Sequence, residues 1–175
     1  MSENMQRIRT KKQRRRVNKW VYISIAAVLI LIACFLLYLR SADKPVRAAQ
    51  KEALDRINGY VTIKDVSRFY LYNGPKEDYS VLVGKNKANK KIIVWVPKKK
   101  SGKVFVKYAA DGISEKQARS IIHSEKNPEK ILHTKLGMEN EKAIWEVTYL
   151  TGNGNLNYVN LSFEDGKVLH SIENL

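Results

Sequence analysis

The sequence predicts an α+β protein: one N-terminal transmembrane helix, then two small units, each a single helix on a curled four-stranded antiparallel sheet. Three observations carry this prediction. The 20 residues from Trp20 to Leu39 include no charged side chain. Beyond them, a helix-type pattern followed by strand-type segments occurs twice. Short matches also recur at nearly constant spacing: Tyr79-Ser80-Val81 with Trp145-Glu146-Val147 66 residues on, and Gly102-Lys103-Val104 with Gly166-Lys167-Val168 64 residues on. The expected organisation is a basic tail (1–19), a membrane span (20–39), a first unit (40–110) and a second unit (111–175).

As a helix, the uncharged run would be about 30 Å long, the thickness of a bilayer's hydrocarbon core. Trp20 and Tyr22 at one end and Tyr38 at the other suit the two interfaces, where amphipathic rings settle. Arg7, Arg9, Lys11, Lys12, Arg14, Arg15, Arg16 and Lys19 precede the run, and only Arg40 follows it directly. The positive-inside rule then puts the N-terminus in the cytoplasm and residues 41–175 outside the cell membrane. A cleaved signal peptide would have an apolar region of about 7–15 residues and a small-residue cleavage site. This run is longer, and Leu39-Arg40-Ser41 is a poor site. Leu31-Ile32-Ala33-Cys34 resembles a lipoprotein lipobox, but Phe35 to Leu39 continue the apolar run where a mature lipoprotein turns polar. An uncleaved single-pass anchor is the expectation.

The first unit opens with Val46, Ala49, Ala53, Leu54 and Ile57 on one helical face. Pro45 is tolerated in a first turn, and Asn58-Gly59 stops the helix. Phe69–Tyr72, Tyr79–Val83, Ile92–Pro97 and Val104–Tyr108 read as strands between turn signals at Asn73-Gly74-Pro75 and Ser101-Gly102. In the second unit, Ser114 and Gln117 form a capping box, with Ile113 and Ala118 placed as its hydrophobic staple. Ala118, Ile121 and Ile122 make a short stripe that stops before Asn127-Pro128. Ile131–Met138 reads as a strand. Trp145, Val147 and Tyr149 alternate, as do Val159, Leu161 and Phe163, and Asp165-Gly166 predicts a two-residue hairpin turn into Val168-Leu169. Each unit buries little apolar area alone, so the two should pack on each other.

Composition narrows the function. About 135 residues lie beyond the span, too few for a large catalytic fold. The net charge is +15, but residues 1–40 carry nine basic side chains and one acidic, leaving 23 and 16 for residues 41–175. Half the excess thus sits beside the span, which argues against a nucleic-acid partner. The single cysteine permits no intramolecular disulfide and no Cys-pair zinc motif. His123, His133 and His170 match no compact metal motif, so neither a metal nor a cofactor is expected. Ser41-Ala42-Asp43-Lys44 has the Ser-x-x-Lys spacing of penicillin-binding enzymes, but it abuts the span with no Lys-Thr-Gly companion. No arrangement points to catalysis. Trp95 and Trp145 read as core, and the Asn160-Leu161-Ser162 sequon sits inside an expected strand. The candidate binding residues are lysines: Lys90, Lys91, Lys98, Lys99, Lys100, Lys103 and Lys107, a basic cluster around the last hairpin of the first unit. They suit either aggregation-blocking edge positions or contact with anionic lipid or wall polymer.

Ile113–Ala118, Trp145–Tyr149, Tyr158-Val159 and Asp165–Leu169 together resemble a PepSY-like domain. With the basic tail, the single span and Val94-Trp95-Val96-Pro97, the chain from Trp20 onward resembles the YpmB/TseB family, described as cell wall elongation regulators of Gram-positive bacteria. The resemblance implies a cystatin-like fold used twice and contact with a membrane-bound penicillin-binding protein at the outer membrane face. The expected function is non-enzymatic regulation of a peptidoglycan synthase, with modulation of an exported peptidase as the alternative. Only Ser41–Lys44 separates the span from the first expected helix, which keeps any partner close to the membrane.

Overall fold

The computed structural model describes residues 19–173 and 175; the basic tail up to Asn18 lies outside the described residues. The uncharged run forms a continuous helix, α1 (Lys19–Ala42), of 24 residues. It passes through Cys34 without a break and is long and apolar enough to cross a membrane. No residue of its apolar stretch Lys19–Tyr38 is buried.

Residues 45–175 form a second compact unit. Its first half is α2 (Lys44–Ile57) and a sheet of β1 (Lys64–Asn73), β2 (Asp78–Lys85), β3 (Lys91–Pro97) and β4 (Phe105–Tyr108). The strands are antiparallel and neighbour one another in chain order. Gly59, at φ +89°, ends the α2 turn in a conformation that costs a glycine little. Side chains alternate across a strand, and here both sets are buried. Leu82, Ile92, Val94 and Val96 join Ala53 and Ile57 in one core under α2, while Val81, Val83, Ile93 and Trp95 join a second core. This two-sided burial explains why β3 reads as an unbroken apolar run and why β2, expected to alternate from Tyr79 to Val83, buries Leu82 as well as Val81 and Val83.

A short 3-10 turn (Ala109–Asp111) leads to α3 (Glu115–Lys126), β5 (Lys130–Glu139), β6 (Lys142–Leu150), β7 (Leu156–Ser162) and β8 (Val168–Ile172). These strands form another antiparallel sheet in chain order. The capping box is present: Ser114 N–H donates to Gln117 Oε1 at 2.8 Å, and Gln117 N–H donates to Ser114 Oγ at 3.3 Å. Asn127 closes α3 in the left-handed region at φ 40°, where asparagine is well tolerated. Trp145, Val147, Tyr149, Val159 and Leu161 pack with Ala118 and Ile122 of the helix. The repeat seen in the sequence maps onto equivalent places: its first match lies on β2 and β6, its second just before β4 and at the start of β8.

The connection from β7 to β8 departs from expectation. It is not a two-residue turn, because β7 ends at Ser162 and β8 begins at Val168. Phe163, just beyond β7, is buried, with 1% of its surface exposed. Its N–H donates to Ala143 O at 3.0 Å, and its ring meets Trp95 edge-on at 6.1 Å between centroids. Ser162 N–H donates to Lys167 O at 2.8 Å, which closes the loop over Phe163 to Gly166, and Gly166, at φ +76°, turns the chain back.

The Trp95–Phe163 contact belongs to a core that crosses from one half to the other. A second crossing lies on the opposite side of the β5–β8 sheet. A Cβ at Gly137 would sit 2.4 Å from the Tyr72 ring, so a glycine is what lets that ring lie on the strand. Both tryptophans expected in the core are there: Trp95 is fully buried and Trp145 nearly so.

Candidate functional site

The seven candidate lysines do not form one cluster. β3 runs seven residues between Lys91 and Pro97, roughly 20 Å of extended chain, and the lysines divide between its ends. Lys98, Lys99, Lys100 and Lys103 surround the β3–β4 turn. Lys98 pairs with Asp78 at 3.6 Å, and Lys103 Nζ lies 5.3 Å from the centroid of the Phe105 ring. Lys90 and Lys91 sit at the far end, where Lys90 Nζ lies 5.7 Å from the centroid of Tyr108. Lys107, opposite Ile93 in the ladder, pairs with Glu164 of the second half. Residues close in sequence were separated because an extended strand intervenes.

The β3–β4 turn is held by Arg56 of α2. Its guanidinium donates to Pro97 O, to Lys100 O at 2.7 Å and to Gly102 O at 2.9 Å. Five fixed donors in a planar fork suit such a set of carbonyls. The sequence offered no signal for this tie, since 41 to 46 residues separate its ends.

A groove of about 670 Å³ opens between the halves. One wall is the α3 segment from Ile113 to His123; the other comes from β1, β2 and β3. The floor is the shared core reaching the surface through Val83, Ile93, Leu136, Trp145 and Phe163. Gly112 pins the α3 entry, because a Cβ there would lie 2.2 Å from Phe163 O. Ile113 N–H donates to Phe163 O at 2.7 Å, and Trp145 Nε1–H donates to Ile113 O at 2.9 Å. The rim is cationic. Arg68, Lys91, Lys116 and Arg119 face Glu115 as the one acidic lining residue. Arg68 pairs with Glu115 across the two halves and donates to Tyr70 Oη at 3.3 Å; these contacts raise the guanidinium pKa further, with Tyr70 the larger cause. Arg119 donates to Thr134 Oγ1 at 3.3 Å. Lys91 and Lys116 have no ion-pair partner among the described residues.

A polar network lies at the Tyr72–Gly137 crossing. Tyr72 O–H and Asn160 Nδ2–H both donate to Glu139 Oε1, each at 2.8 Å. Burial pushes the Tyr72 phenol well above its usual range, and the bond to Glu139 adds to that. Glu146, opposite Lys135 and Asn160 in the sheet, has its carboxyl raised chiefly by burial, while Lys135 and His133 pull it down. Asn160, the sequon residue, is buried in β7 at 8% exposure. On the exposed β7–β8 loop, hydrogen bonds from Ser162 and then Lys167 hold Asp165 at about 2.

None of these groups pairs a nucleophile with a base. His123, His133 and His170 are exposed and lie on different elements. Among the described residues, no group of three or more His, Cys, Asp or Glu side chains could hold a metal ion. The arrangement offers surfaces for contact.

Comparison with known proteins gives two family matches. Residues 52–97, from α2 through β3, match the cell wall elongation regulator TseB-like domain. Residues 112–171, spanning α3 to β8, match the PepSY domain, described as the peptidase propeptide and YPEB domain. The probable cell wall elongation regulator TseB of Bacillus subtilis (strain 168) is 38% identical over 97 residues. That alignment covers 55% of this chain and spans 60% of the relative's length. The solved structure of the YpmB protein from Bacillus subtilis superposes with a TM-score of 0.63 at 34% identity, covering 73% of this chain and 95% of that one.

Proposed function

From the premise that this chain belongs to the YpmB/TseB family of cell wall elongation regulators, we propose that it is a non-enzymatic, membrane-anchored regulator of wall elongation. It acts outside the cell membrane by contact with a membrane-bound penicillin-binding protein. α1 is the single-pass anchor, the basic tail is cytoplasmic, and two cystatin-like units, within residues 40–110 and 111–175, are extracellular. The lysines at the β3–β4 turn add attraction to anionic lipid or wall polymer, which salt weakens.

One observation carries the reading. Segments matched by wall-regulator and PepSY domains follow an apolar helix with no buried residue in its stretch Lys19–Tyr38, and only Asp43 stands between that helix and α2. A tether that short requires the partner to come to the membrane, and a synthase anchored in the same bilayer does so. Tethering also raises effective concentration, typically to about millimolar for short linkages, so a weak contact between exposed surfaces suffices.

Two exported forms test the reading: residues 41–175 released as a soluble protein, and the same residues on an unrelated membrane helix. The swapped-helix form should restore cell width and crosslink to a penicillin-binding protein; the soluble form at normal abundance should not. Rescue by the soluble form, or crosslinking that never yields a synthase, would overturn it.

A further inference from the structure

The groove between the halves is assigned no role by the regulatory reading, and its chemistry is specific. From it we infer that the groove is a docking site for an extended acidic peptide segment carrying one aliphatic or aromatic anchor. The inference rests on the proposed regulatory contact only for the source of that peptide, an extracellular segment of the partner.

The floor supplies the apolar half of the argument. Ile93, Leu136 and Trp145 are buried core residues that also line the groove, so an entering side chain would extend the shared core. Charge complementarity supplies the rest. Lys91 and Lys116 stand on opposite walls without ion-pair partners among the described residues, and Arg119 lies one helical turn beyond Lys116. The helical part of the α3 wall runs from Glu115 to His123, about 12 Å at the rise of a helix, the reach of about four extended residues. Lys116 and Arg119 are neighbours one turn apart on the α3 wall, Lys91 stands on the wall opposite, and the apolar residues Ile93, Leu136 and Trp145 lie among the same lining. A phosphate or lipid head group would use the cations alone; a peptide with carboxylates beside an apolar side chain uses both the cations and the floor. The Arg68–Glu115 pair closes one approach by bridging the walls, and it leaves Lys91 and Lys116 as the charges available to a ligand.

The test uses the full chain in detergent micelles and fluorescein-labelled hexapeptides with a central Phe flanked by Glu, with Lys in place of Glu, or with the Phe replaced by Gly. Anisotropy should report saturable binding of the Glu–Phe peptide only. Lys91→Glu with Lys116→Glu should weaken it by about tenfold or more, as removal and reversal of two complementary charges does. Lys91→Gln with Lys116→Gln, a milder change at exposed positions, should give an intermediate loss. Lys130→Glu with Lys142→Glu, exposed and outside the groove lining, should leave binding unchanged. Equal binding of the Lys peptide, indifference to the Phe, equal loss in that control variant, or no saturable binding would each overturn the assignment. So would phosphatidylglycerol vesicles displacing the peptide from the wild-type chain but not from the groove variants, which would give the groove to lipid. Capture of a synthase in cells tests the regulatory reading separately. That reading can fail while the peptide still binds, and the groove can fail while the synthase is still captured.

Discussion

The β1–β4 sheet is buried on both faces, by α2 on one and by the second half on the other, whereas the β5–β8 sheet has α3 on one face and a partly polar opposite face. Both halves have the same order of elements and the same strand neighbours. Among the described residues, the α2 core holds six buried residues, while nineteen belong to the core that spans both halves. The first half thus places Tyr72, Tyr79, Val81, Val83, Ile93 and Trp95 in a core whose other members come from its neighbour. A repeated topology need not mean repeated independence: the first half depends on the second to cover a whole face of its sheet.

The largest test of that asymmetry is Trp95→Ala. A fully buried ring lost from the shared core should destabilise the chain by about 3–5 kcal/mol, and thermal melting should show both halves weakened together. Trp145→Ala should fall in the same range, since that ring also lines the shared core. Loss confined to β1–β4 after the Trp95 change would break the comparison.

The Tyr72–Gly137 crossing gives a sharper probe. Gly137→Ala forces a methyl into the Tyr72 ring and should cost about 1–3 kcal/mol, the usual penalty of overpacking. In a Tyr72→Ala background the same change should cost much less, because residues in contact are not additive. Ser114→Ala, which removes one arm of the α3 capping box, should cost about 1 kcal/mol.

Much of this architecture was legible in the sequence, because helix faces, capping box, strand runs and the repeat are local patterns. Alternation, apolar runs and turn signals together located the strands, and the need to bury two small sheets implied that they pack together. What was not legible depends on distant partners. The lysines read as one cluster because sequence proximity hides the length of β3. The hydrogen bond from Tyr72 to Glu139 joins residues 67 apart, and no local pattern announces it. One signal was available: Gly137 stands inside the apolar run of β5, where a glycine often marks the close approach of another group. The groove was invisible because each wall alone reads as an ordinary helix face or strand.

The smallest effect expected concerns the partly polar face. Glu146 has a carboxyl pKa raised above its ordinary 4.5 by burial, so the folded chain favours its protonated form. That contribution is fully present below about pH 4.5 and is lost as pH rises through the raised value. Glu146→Gln should therefore raise the melting temperature at pH 7.5, with the gain fading as pH falls toward 4.5. A gain independent of pH would place its origin elsewhere.

The central claim is that the two halves stand on one core and open as one body. Native-state hydrogen exchange on the full chain in micelles, followed by mass spectrometry, tests it directly. The slowest amides of β3 and of β6 should share one opening free energy and one dependence on denaturant. Opening of β3 at clearly lower free energy, with a shallower denaturant slope than β6, would show a first half that unfolds alone and would contradict the claim.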